Sequence, residues 1–430
     1  MTDPAVFTVE PGGALHGETT VPGDKSLSHR AVMFGALAQG VTHIRGWLPA
    51  GDTLATLGAV RALGVPVERH NSTTLTVHGG LLREPTGPLD LVNAGTGIRL
   101  LAGILAGQPF PCVLDGSEQL RRRPMRRVTE PLRLMGADIT DTDGYAPLHI
   151  RPARLRGITY ALPVASAQVK SAILLAALFA QGPTTVIQPG PARDHTERML
   201  RAMGAEVQIA ARAVTLTPGR PLSPLDLTIP GDPSSAAFLA VAASLLPGSH
   251  VTIHNVDLNA TRTGLFDVLS EMGAQIVILP TGEAGGDPVG QVVVQSAALR
   301  GIAVGGETVV RMIDEFPILM VAALCATGET VVHDARELRV KETDRIAVMA
   351  GELRKMGAII EEREDGFALH GPQALCGAVV EAHDDHRIAM SLAVAGLVAA
   401  GITTVQGAGC AADSFPGFAE NLQELGARIR

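Results

Sequence analysis

Six apolar runs divide the chain, and each opens on a polar turn. GDKSLSHR precedes AVMFGALA, NAGTGIR precedes LLAGILA, and SAQVKS precedes AILLAALFA. GDPSS precedes AAFLAVAASLL, MIDEFP precedes ILMVAALCA, and DDHR precedes IAMSLAVAGLVAA. These runs are apolar nearly all round, which predicts helices buried on every side. A second pattern alternates with them: VRALGVPVE, PLRLMGADIT, MLRAMGAEVQI, VLSEMGAQIVI, ELRKMGAIIEE and NLQELGARIR. Each reads as the end of an amphipathic helix, a glycine, and an alternating strand. The glycines (Gly64, Gly136, Gly204, Gly273, Gly357, Gly426) recur every 68–84 residues and suit the left-handed position that closes a helix.

A period this long, repeated six times, predicts a duplicated α/β unit that accounts for nearly the whole chain. The units divide three and three, with TPGRPLSPLDLTIPGD (217–232) as the boundary and LPTGEAGGDPVG (279–290) as a surface loop. The expected architecture is two similar α/β domains, each of three units around buried helices, with a cleft between them. Helix N-termini carry unsatisfied N–H groups and positive dipole ends. Six polar first turns facing one another would make that cleft an anion trap.

Composition narrows the ligand. The 430 residues carry a formal charge of −8, which disfavours nucleic acid as a partner. Cations must therefore act locally. Four scattered cysteines, with no CxxC pair, point to neither a zinc site nor a disulfide framework. The N-terminus shows no signal-peptide pattern, and the longest apolar stretch, Ile388–Ile402, is short for a membrane span. A cytoplasmic protein with no membrane partner is expected.

VPGDKSLSHR (21–30) lacks the glycine spacing of a P-loop. Its Lys25, Ser26 and Arg30 read instead as direct ligands for phosphate or carboxylate. In NAGTGIR, Gly95 and Gly97 allow close backbone approach to a ligand. LRRRPMRRV adds five arginines, and VASAQVKS offers Ser166 and Gln168 as hydrogen-bonding groups. RELRVKETDR packs seven charges into ten residues. HDDHR places two histidines three apart without a third ligand set, so no metal is assigned.

Taken together and in order, PGDKSLSHRA, NAGTGIR, RRRPM, SAQVKSA, RDHTE, DPSSAAF, MIDEFP, ELRVKETDR, DHRIAM and SFPGF resemble the 3-phosphoshikimate 1-carboxyvinyltransferase (5-enolpyruvylshikimate-3-phosphate synthase) family over the full length. The resemblance implies a two-domain inside-out α/β barrel, each domain three repeated βαβαββ units around buried helices. It implies an N-terminal domain of residues 20–229, a C-terminal domain of 1–19 with 230–430, and an active site in the interdomain cleft. It implies transfer of the enolpyruvyl group of phosphoenolpyruvate to the 5-hydroxyl of shikimate 3-phosphate in the shikimate pathway, by a monomer needing no cofactor. By motif match, Lys25, Ser26, Arg30, Ser166, Ala167, Gln168, Arg193, Asp314 and Lys341 would hold shikimate 3-phosphate. Lys25, Gly95, Arg123, Gln168, Arg345 and Arg387 would hold phosphoenolpyruvate. Asp314 would serve the 5-hydroxyl as base, and Glu342 with Lys25 would serve C3 of phosphoenolpyruvate.

The family often has a second serine at Ala167, leaving only a backbone contact there. Asp413 stands where many members carry a lysine that touches phosphoenolpyruvate. Gly95 keeps the residue that glyphosate-insensitive members replace by alanine, and its missing Cβ is expected to leave room for that longer inhibitor. The cations of the empty site are expected to repel one another. Two other readings are the sister enzyme acting on UDP-N-acetylglucosamine, which uses a cysteine acid, and a non-catalytic polyanion-binding protein on the same scaffold.

Overall fold

A computed structural model describes residues 5–430 as a mixed α/β chain with six small sheets. Contacts divide it into two compact units. The N-terminal unit comprises Gly23–Ile229 and Glu283–Asp287; the C-terminal unit comprises the residues through Pro22, Pro230–Gly282 and Pro288–Arg430.

One strand pattern recurs. In the N-terminal unit, Leu89–Asp90 lies parallel to Cys112–Asp115, which pairs antiparallel with Tyr145–Arg151 and this in turn with Asp138–Thr142. The sheets built on Thr184–Ile187 and, in the C-terminal unit, on Gly328–Val332 repeat that order. Chain termini complete other sheets. Asp226–Thr228, the last strand of the N-terminal unit, lies parallel to its first strand, Val41–Arg45. In the C-terminal unit, His16–Thr20 lies parallel to His250–Asp257, and Val6–Val9 pairs antiparallel with Thr403–Gln406.

The six apolar runs are helices: Lys25–Leu37, Gly95–Leu105, Ala167–Ala177, Pro233–Leu245, Phe316–Cys325 and His386–Val398. Twelve of the thirteen residues in Pro233–Leu245, nine of the ten in Phe316–Cys325 and twelve of the thirteen in His386–Val398 are buried. No polar stripe exists because no face meets water, and each large apolar side chain so placed contributes about 1.5–3 kcal/mol. The amphipathic helices close alike. Gly64, Gly136, Gly204, Gly273, Gly357 and Gly426 all have φ between +81° and +107°. In each, the following residue donates its N–H to a carbonyl five positions back, as Ala137 does to Leu132 (3.0 Å) and Ala358 to Leu353 (3.1 Å). That closure needs a left-handed residue, which glycine adopts without a Cβ clash.

The 279–290 segment is not a loop. It belongs to two long strands, Gln275–Ala284 and Asp287–Gln295, joined by Gly285 and Gly286 at φ +60° and +89°. Positive φ at both central residues is the geometry of a two-residue hairpin turn, so the glycines mark a tight reversal and not an open excursion. Among the described residues, no helix is long and apolar enough to cross a membrane.

Candidate active site

The expected site residues fall into two groups, one in each unit. In the N-terminal unit, Asp24 caps the helix Lys25–Leu37 by accepting the Leu27 N–H at 2.7 Å. Lys25 begins that helix, and its Nζ lies 3.0 Å from Asp52. Ser26 is half-buried beside it. One turn further, buried Arg30 donates Nε to Thr196 (2.8 Å), Nη1 to the Ser26 carbonyl (3.0 Å) and Nη2 to Ser171 (3.0 Å). Burial lowers its pKa to about 10, against the opposing pull of Glu197, Asp24 and Asp287, and it stays charged at neutral pH. Arg30 thus ties its own helix to Ala167–Ala177 and His195–Ala202.

Gly95 and Arg123 come together, since a Cβ on Gly95 would lie 2.7 Å from Arg123 Nη1. In this structure the tip of the Arg123 side chain occupies the space beside Gly95. Gln168 joins them through Arg99, whose Nη1 donates to Gln168 Oε1 at 2.6 Å; Gln168 Nε2 donates to Thr96 at 2.9 Å. Arg99 also donates to the Gly95 and Pro124 carbonyls. Ser166 caps the helix that Ala167 begins. Arg193 is half-buried on the loop before His195–Ala202, next to Ala192, whose carbonyl accepts from buried Lys170. Lys170 also pairs with Glu197 at 2.6 Å.

In the C-terminal unit, Asp314, Lys341, Glu342, Arg345 and Arg387 converge. Arg345 starts the helix Arg345–Lys355 with a side chain 1% exposed. Its Nη1 donates to Asp314 (3.2 Å), its Nη2 to Glu342 (2.7 Å) and its Nε to Asp385 (2.8 Å). Burial alone would lower its pKa, but Asp385, Glu342 and Asp314 outweigh burial and raise it. Lys341 and Arg387 approach Asp314 at 3.8 and 3.9 Å, and Arg387 also approaches Glu315 at 3.7 Å. Within this group each of these cations has a carboxylate within 4 Å, which offsets repulsion among them. The arrangement offers a carboxylate set among cations, suited to moving protons beside a bound anion.

Sequence reasoning missed Asp52, Arg99, Glu315 and Asp385. Three of them adjoin quoted motif residues: Glu315 follows Asp314, Asp385 lies two before Arg387, and Arg99 ends NAGTGIR. Asp385 begins the DHRIAM motif, which assigns it no role of its own. It is fully buried, holds Arg345 and accepts the Arg387 N–H at 2.9 Å. Asp413, at the end of the 3-10 helix Ala408–Asp413, helps raise the Cys410 thiol to about 12, behind burial and Asp385.

The family model described as EPSP synthase (3-phosphoshikimate 1-carboxyvinyltransferase) matches residues 9–422. A 3-phosphoshikimate 1-carboxyvinyltransferase of Halorhodospira halophila is 55% identical over 98% of this chain and 96% of its own. One of Acidithiobacillus ferrooxidans is 52% identical over 98% of both. A solved EPSP synthase structure from Acinetobacter baumannii superimposes with a TM-score of 0.90, at 44% identity over 99% of each chain. On the full-length match to that model and to those relatives, the chain belongs to the EPSP synthase (3-phosphoshikimate 1-carboxyvinyltransferase) family.

Proposed function

We propose that this chain transfers the enolpyruvyl group of phosphoenolpyruvate to the 5-hydroxyl of shikimate 3-phosphate, releasing phosphate. The observation that carries the reading is Asp314, a carboxylate 15% exposed and surrounded by Arg345, Lys341 and Arg387. Such a group can take a hydroxyl proton while the cations hold a polyanion.

In the first step the 5-hydroxyl oxygen bonds to C2 of phosphoenolpyruvate, its proton passes to Asp314, and C3 gains a proton from Glu342 or Lys25. In the second, the C2–O bond to phosphate breaks and C3 returns a proton, restoring the vinyl ether. Lys25, Ser26, Arg30, Ser166, Ala167, Gln168, Arg193, Asp314 and Lys341 hold shikimate 3-phosphate in this reading. Lys25, Gly95, Arg123, Gln168, Arg345 and Arg387 hold phosphoenolpyruvate, where the planar guanidinium fork suits carboxylate and phosphate. Phosphoenolpyruvate already contains its leaving group, so the reading includes no cofactor. It also includes a monomeric cytoplasmic enzyme and, as the finer fold, an inside-out α/β barrel in each domain.

The rival with a cysteine acid is disfavoured by Cys112, which lies in a strand opposite Ile150 and whose thiol is pushed up to about 12 by burial. The test is phosphate release with purified protein. Release only when phosphoenolpyruvate and shikimate 3-phosphate are both present is expected; release with UDP-N-acetylglucosamine instead overturns the reading.

A further inference from the structure

We infer that Glu352 is a positioning residue for the phosphoenolpyruvate-binding arginines, acting through the 381–385 segment; this rests on the reading that Arg345 and Arg387 hold that substrate. Glu352 lies seven residues after Arg345 on the helix Arg345–Lys355, two turns on and along the same face. Its side chain is 5% exposed, yet among the described residues its hydrogen bonds go to none of the expected ligand-binding groups. Instead Oε2 accepts the Glu381 N–H (3.0 Å) and Lys355 Nζ (2.7 Å), while Oε1 accepts His383 Nε2 (2.8 Å). Burial opposes the charged form, but these hydrogen bonds outweigh it and hold the carboxyl below the usual range.

The segment so gripped is strained. His383 and Asp384 both sit in the left-handed region, at φ +53° and +55°, where non-glycine residues are disfavoured. Directly after them comes Asp385, fully buried. It accepts from Arg345 Nε (2.8 Å), from Thr343 Oγ1 (3.2 Å) and from the Arg387 N–H (2.9 Å). One helix therefore holds this segment at both ends: Arg345 at Asp385, and Glu352 at Glu381 and His383. The strained pair is free to relax toward an ordinary φ if one grip is lost. Without Glu352 the turn would keep the Asp385 bonds, the Ala382 N–H to the Gln406 carbonyl (2.9 Å) and the Asp385 N–H to the Ala382 carbonyl (3.0 Å), but lose its side-chain grip at Glu381 and His383, and the two guanidinium groups would be less firmly fixed.

The experiment measures steady-state phosphate release with each substrate varied in turn, for wild type, Glu352→Ala, Glu352→Gln and His383→Ala. In Glu352→Ala the KM for phosphoenolpyruvate is expected to rise roughly tenfold or more, while that for shikimate 3-phosphate changes by less than about twofold. Glu352→Gln, which keeps an acceptor oxygen for the Glu381 N–H, should recover part of the loss. His383→Ala removes one contact from a half-exposed side chain, so it reads the same split should Glu352→Ala not fold. A fall in thermal stability with both KM values moved by one factor, or with neither moved, would mean a merely structural role and overturn the inference. A wild-type protein that releases no phosphate removes the parent reading and this inference with it; an active wild type with no split in the variants removes this inference alone.

Discussion

Gly95→Ala separates what Arg123 does from what the missing methyl does. The added Cβ would lie 2.7 Å from Arg123 Nη1, 3.0 Å from its Cζ and 3.3 Å from Arg99 Nη1. Gly95 is the first residue of its helix and does not have a left-handed φ, so alanine fits the backbone. What must move is the tip of a long, half-buried side chain, and the fold should be unaffected. If Arg123 holds phosphoenolpyruvate as proposed, displacing it weakens a charged hydrogen bond worth roughly 1.5–3 kcal/mol and raises the KM about tenfold or more. Glyphosate, the longer ligand, meets the methyl as well, at a further cost of about 1–3 kcal/mol, or roughly 5- to 150-fold in affinity. The assay is phosphate release at saturating shikimate 3-phosphate, giving the phosphoenolpyruvate KM, the glyphosate inhibition constant and, separately, the melting temperature. The ratio of inhibition constant to KM is expected to rise with an unchanged melting temperature. A constant ratio refutes the placing of the inhibitor beside Gly95. An unchanged KM refutes Arg123 as a phosphoenolpyruvate ligand, whatever the inhibitor does.

Asp314→Asn should lower turnover by roughly 10²–10⁴-fold while shikimate 3-phosphate binding, followed by calorimetry, changes far less; equal losses would make it a binding residue only. His29 is fully buried and hydrogen-bonded to Thr56, and burial pushes its pKa from 6.5 to about 3. The unfolded chain then binds the extra proton below pH 6.5, so stability should fall by up to about 1.4 kcal/mol per pH unit on acidification. His29→Gln should flatten the melting temperature between pH 7 and 5, and an identical slope in both proteins would count against this. Asp413→Lys should lower the phosphoenolpyruvate KM, with the gain shrinking as salt is added; a KM that rises would show that Asp413 is remote from the bound anion.

What the sequence revealed follows from which constraints are local. The six closing glycines were legible because the left-handed sign of φ is set within one turn of helix, and all six have it. The buried helices were legible because a run with no polar stripe has nothing to present to water. The Gly285–Gly286 reversal was misread because Gly/Pro density marks a tight hairpin and a loose loop alike; only the pairing of distant strands distinguishes them. Asp52, Asp385 and Glu352 escaped for a related reason. Their partners lie 27, 40 and 31 residues away, at Lys25, Arg345 and His383, and no spacing rule reaches across a fold. The crowding at Gly95 escaped because it depends on one arginine rotamer.

The distribution of charge gives the two groups different tasks. In the C-terminal group, Lys341, Arg345 and Arg387 stand against four carboxylates, Asp314, Glu315, Glu342 and Asp385. That set carries no net positive charge, and the chain as a whole is at −8, so its cations hold a polyanion through directed hydrogen bonds more than through excess charge. Its carboxylates fix the orientation of Arg345 by accepting from Nε, Nη1 and Nη2 along the edges of the guanidinium. On the proposed reading, a phosphoenolpyruvate that takes those donors displaces Asp314 and Glu342 from them, leaving Asp314 to accept the 5-hydroxyl proton and Glu342 to exchange a proton with C3. In the N-terminal group, Arg30 donates to hydroxyl and carbonyl oxygens with Glu197, Asp24 and Asp287 nearby, Arg99 donates to Gln168, Arg123 lies against Gly95, and Lys25 pairs with Asp52. On the proposed reading, attraction for anions draws on Lys25, Arg99 and Arg123 together with Arg345 and Arg387, and proton transfer rests on Asp314 and Glu342. On that division, neutralising an N-terminal cation raises KM, whereas neutralising a C-terminal carboxylate lowers turnover.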